Sequence, residues 1–80
     1  MNYGNGKVGF GRDLFVTRFH GLGMSQAGFA QRFGLTFSMV KNAEQERYTP
    51  NPALRVLLAA IELDPAFMKR AAKVARERWG

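Results

Sequence analysis

Four residues with short polar side chains, Ser25, Thr36, Asn51 and Asp64, each stand just ahead of a run of periodic apolar residues. Two of them are followed at once by proline, Pro52 and Pro65. No other pattern in the chain restricts the fold as much. A side-chain oxygen at such a position accepts a backbone N–H of a helix's first turn. Proline at the next position loses nothing, because its missing N–H would have had no partner inside the helix. Three of these starts also carry apolar pairs spaced as hydrophobic staples: Met24 with Phe29, Leu35 with Val40, and Leu63 with Met68.

The starts predict helices over 25–33, 36–46, 52–63 and 65–79, and the preceding stretch predicts one over 12–20. No segment alternates with period two, so the expected class is all-α, with five helices. The helix over 52–63 has a wide apolar face made of Ala53, Val56, Leu57, Ala60, Ile61 and Leu63. Ahead of position 12, Gly4, Gly6, Gly9 and Gly11 oppose any regular element. Residues 1–11 are therefore expected to be a flexible arm, and 12–80 a single domain.

A chain of 80 residues buries a modest core, and oligomers are a common remedy. The formal charge of +6 favours a polyanionic partner. That charge sits at the two ends. Residues 66–80 hold Lys69, Arg70, Lys73, Arg76 and Arg78 against Glu77, whereas 21–65 balance to zero. With no cysteine and only His20, thiolate metal sites and disulfides are excluded and no cofactor is expected. The longest apolar run, 56–61, falls far short of a membrane span, which needs about 20 residues. No secretory signal is visible, so a cytoplasmic protein is expected. His20, Ser25 and Asp13 do not form a credible triad, because nothing supplies a buried orienting acid or an oxyanion hole. An enzyme is not expected.

Residues 25–46 have the residue types a helix-turn-helix needs. Gly34 suits the positive φ of a tight turn. Ala30 is small enough for a close helix crossing. Phe29, Phe33, Leu35, Val40 and Ala43 are spaced to fill the angle between two short helices, while Gln26, Gln31, Arg32, Ser38, Lys41 and Asn42 face out.

This segment resembles the helix-turn-helix family of lambdoid phage repressors and Cro, and resembles HigA-type antitoxins more closely. Their typical run, LGLSQ-x-x-FA-x-x-FG, is matched by Leu22, Gly23, Met24, Ser25, Gln26, Phe29, Ala30, Phe33 and Gly34. A following W-E-Q-G-R and proline are matched by Glu44, Gln45, Arg47 and Pro50. The resemblance covers about 22–68. The family's tryptophan is Ala43 here, so either Phe19 or Met39 is expected to fill its volume or the packing is expected to shift. The family's glycine is Glu46, so the second helix is expected to run on toward Arg47.

The resemblance implies that the second helix lies in a DNA major groove. Phe37, Ser38, Lys41 and Asn42 then face base edges: Asn42 for adenine, Lys41 for guanine, Phe37 for a thymine methyl. Gln26, Thr36, Arg47, Tyr48 and Asn51 are the implied backbone contacts. Dimerisation is expected through 54–79, with Leu54, Leu58, Phe67 and Trp79 at the seam. The expected function is a dimeric, autoregulatory repressor reading a palindromic operator. The alternative is an antitoxin acting chiefly on a cognate toxin, docking through the glycine-rich arm. A non-specific nucleic-acid binder fits poorly, since the core of the motif is neutral.

Overall fold

A computed structural model describes residues 9–47 and 49–80. The described residues are all-helical. Helix α1 spans Phe10–Phe15 and continues as a π-helical stretch, Val16–Gly21. It is followed by α2 (Gln26–Phe33), α3 (Phe37–Glu44), α4 (Pro52–Leu63) and α5 (Pro65–Trp79). Among the described residues no helix is long and apolar enough to cross a membrane.

All four expected caps form. Ser25 accepts from the Gly28 N–H, Thr36 from Met39, Asn51 from Leu54 and Asp64 from Phe67, at 2.8–3.0 Å. Helix α2 stops where Gly34 takes φ 75°, and the Leu35 N–H reaches back to the Ala30 carbonyl at 2.9 Å. This six-to-one bond closes the turn and points the chain into α3. Of the staples, Met24 and Leu35 pack against the core, but Leu63 is 86% exposed.

The beginning of the chain departs from expectation. Residues 1–8 of the expected arm lie outside the described residues, but 9–11 are ordered parts of the fold. Gly9 caps α1 with φ 98°, Phe10 is buried, and Gly11 packs against the end of α3. Phe10 and Leu14 stand four residues apart and both point inward, so their burial stabilises the helix that the glycines oppose.

Gly11 also answers the question of the missing tryptophan. A Cβ there would lie 2.6–2.7 Å from the carbonyl oxygens of Glu44 and Ala43. Two small residues, Gly11 and Ala43, thus let α1 close directly onto α3. Phe19 is turned to the surface, 54% exposed, whereas Met39, 37% exposed, borders the same apolar void as Ala43. The remaining void is about 10 Å³ with a wholly apolar lining, at the lower limit for one water molecule. Around it, Phe29, Val40 and Ile61 are the largest fully buried side chains, and Leu58 completes the core from α4.

Glu46 also departs from expectation. Helix α3 ends at Glu44 and does not run on. Glu46 adopts the left-handed conformation (φ 55°) despite its side chain. The Glu46 N–H bonds the Ala43 carbonyl and the Arg47 N–H bonds that of Asn42, each at 3.1 Å, which is the Schellman pattern. The Glu46 carboxylate accepts the Gly9 and Gly11 N–H groups, both at 3.2 Å, which offsets the strain and supplies α1 with a cap.

Candidate nucleic-acid interface

Helix α3 has eight residues and two faces. Val40 and Ala43 are buried. With 100° between successive residues, Ser38, Lys41 and Asn42 then fall on the opposite face, with Phe37 at its edge. Phe37 is 50% exposed, Ser38 and Lys41 are exposed, and Asn42 is half-buried. An apolar ring, a hydroxyl, an amine and an amide thus share one surface. Those groups supply a methyl contact, donors, and a paired donor and acceptor.

The expected backbone-contact residues surround this helix, several with structural tasks of their own. Thr36 and Asn51 are exposed and cap α3 and α4. The Arg47 guanidinium donates to the Gln45 side chain at 2.6 Å. Gln26 opens α2, but its amide nitrogen is engaged, donating to Glu44 Oε1 at 3.0 Å. Tyr48 lies outside the described residues.

That Gln26 bond belongs to a network that sequence reasoning missed. Arg18, from the π-helical stretch, is 6% exposed. Its guanidinium makes a bidentate pair with Glu44, Nε to Oε2 at 2.6 Å and Nη2 to Oε1 at 3.0 Å. Its remaining Nη1 donates to the Met24 carbonyl at 2.7 Å. The rings of Phe15 and Phe19 flank the cation at 5.3 and 5.9 Å and stack on each other at 5.4 Å. Each guanidinium nitrogen and both carboxylate oxygens of this buried charge pair have a hydrogen-bond partner, as a low-dielectric setting demands. The network ties the last turn of α3 to the first turn of α2 and to the stretch after α1, which fixes the orientation of the outward face of α3. The signal was present in the sequence. Position 18 continues the inward stripe of Leu14 and position 44 that of Val40, each four residues on, and the two charges are of opposite sign.

The residues expected at a dimer seam separate into two groups. Leu58 is buried and Leu54 half-buried in the core of this chain, because the α4 stripe that includes Ile61 faces inward. Leu58 is thus not available to a partner. Phe67 and Trp79 are 53% and 77% exposed, with Arg70 and Arg78 over their rings. His20 is exposed and sits edge-on to Phe15 and Phe19. Among the described residues no three of His, Cys, Asp and Glu gather as metal ligands. No protein-family model, curated protein or solved structure matches this chain.

Proposed function

We propose that the chain is a sequence-specific double-stranded DNA-binding repressor of the Cro-like helix-turn-helix kind. In this reading α2 and α3 are the two helices of the motif and α3 reads an operator in the major groove. One observation carries it: Ser38, Lys41 and Asn42 share the outward face of a short, capped helix, with exposed Phe37 at the edge of that face, and the helix's last residue is held by a buried ion pair. Each bidentate base contact from such a face contributes about 1–3 kcal/mol of discrimination. Thr36, Arg47, Tyr48 and Asn51 are then contacts to phosphates that set register. The exposed Phe67 and Trp79 support a homodimer, and a two-fold dimer places half-sites about 34–36 Å apart. In this reading the repressor is cytoplasmic and autoregulatory.

The test is selection from a random duplex library at about 0.15 M salt, a concentration at which non-specific binding is weak. Recovery of a palindromic site, with preference relaxed at one position each by Lys41→Ala and Asn42→Ala, is the expected outcome. Recovery of no preferred site sinks it.

A second reading, an antitoxin whose main partner is a toxin, draws support from the exposed Phe15, Val16 and Phe19 beside His20. Aromatic surface of this kind suits a protein partner. It predicts that Phe19→Ala weakens toxin capture and leaves operator choice unchanged.

A further inference from the structure

The outward face of α3 is short of positive charge. Across 26–47 the cations are Arg32, Lys41 and Arg47, against Glu44 and Glu46. Affinity for a duplex comes largely from neutralising phosphates with Lys and Arg, so a binder of this design needs cations elsewhere.

They are on α5. Where α5 packs on α2, Arg32, Lys69 and Arg76 surround one open cleft with Met24, Gly28 and Gln31, and no carboxylate lines it. Arg76 is fixed in place, its guanidinium donating to the Gln31 carbonyl at 2.9 Å. Lys73 is exposed and lies on the same stripe, one turn from both Lys69 and Arg76. Lys69 and Lys73 have no hydrogen bond or ion pair among the described residues. The stripe also runs toward the reading helix. Arg76 and Gly80 border a second opening with Gly34 and Leu35, immediately before the Thr36 cap and Phe37.

We propose that the α2–α5 cleft is a phosphate-backbone site, at which Arg32, Lys69, Lys73 and Arg76 grip the strand flanking the groove that α3 reads. This rests on the DNA-binding reading of α3. A row from position 69 to 76 spans roughly 10 Å of helix. Over that length one DNA strand presents about three phosphates. Continuity of the row with the α2–α3 turn favours DNA over an acidic protein segment, which would have no need of that alignment.

The experiment is a salt titration, from about 0.05 to 0.2 M, of full-length protein on its selected duplex, or on a random duplex if none is selected. Wild type is compared with Lys69→Gln, Lys73→Gln and the double variant. These two exposed side chains make no hydrogen bond or ion pair among the described residues, so folding is expected to be retained, and circular dichroism checks it. Each substitution is expected to reduce the slope of log affinity against log salt by about one. That makes the fourfold salt rise about 3.5-fold less damaging per cation removed, with base preference unchanged. Wild-type slopes in both single variants and the double variant overturn the inference while leaving the DNA reading standing, and free the cleft for an acidic protein. Absence of any duplex binding by wild type overturns the DNA reading and this inference together.

Discussion

Glu46 holds a left-handed backbone, which costs a non-glycine residue about 1–2 kcal/mol. It offsets that cost by accepting two backbone N–H groups of α1. The two effects separate by substitution. Glu46→Ala retains the strain and loses the cap, so it is expected to destabilise by about 1–3 kcal/mol. Glu46→Gly relieves the strain and should recover about 1 kcal/mol of that loss. Urea midpoints at constant slope measure both, and an alanine variant as stable as wild type would remove the capping role. Asp13 behaves differently. Burial raises its pKa above 3.8, repulsion from Glu62 adds to the rise, and Arg12 partly opposes it. The folded state therefore holds this proton more tightly than the unfolded one. Stability is highest below the unfolded value and falls as pH rises through the raised folded value. Asp13→Asn should thus raise Tm at pH 7, and the gain should vanish near pH 3, below the ordinary carboxyl value of 3.8; an equal gain at both pH values would rule the mechanism out. Residues such as Arg18 and Glu44 were harder to read. Composition counts them as surface charge, and only their place on two inward stripes gives them away.

At the scale of elements, capping chemistry was legible because it is local. Ser25, Thr36, Asn51 and Asp64 each act within a few residues of themselves. The start of α1 was not legible, because glycine reads as a breaker and the gain that overrides it comes from Glu46, 35 residues beyond Gly11. Gly11 is required by the approach of α3, not by flexibility. Gly11→Ala is accordingly expected to cost about 1–3 kcal/mol by overpacking, although alanine is the better helix former. For a domain this size each kcal/mol lowers Tm by about 4–8 °C. A Gly11→Ala variant that melts at or above wild type would show that the two helices can slide apart freely. The end of α3 misled for a similar reason: absence of glycine at 46 suggested continuation, yet a carboxylate bond to another helix stabilised the same turn.

For the whole molecule, the all-helical class followed from capping residues and periodicity together. Spacing also set Ser38, Lys41 and Asn42 facing out of α3, whereas Phe37 joined them through the resemblance. What spacing does not give is how one helix is held against the others. That depends on contacts between distant positions, Arg18 with Glu44 above all. The location of the cationic cleft was likewise hidden, because Arg32 and Lys69 meet only when α5 lies on α2. One consequence concerns portability. Glu44 sits in the last turn of α3, where the helix dipole disfavours a carboxylate. It is tolerated because Arg18 and Gln26 surround it. A peptide of 25–47 grafted elsewhere would carry that acid without its arginine, and would lose the buried partner that gives it a reason to be there. The smallest transplantable unit of this protein therefore begins no later than the π-helical stretch that carries Arg18.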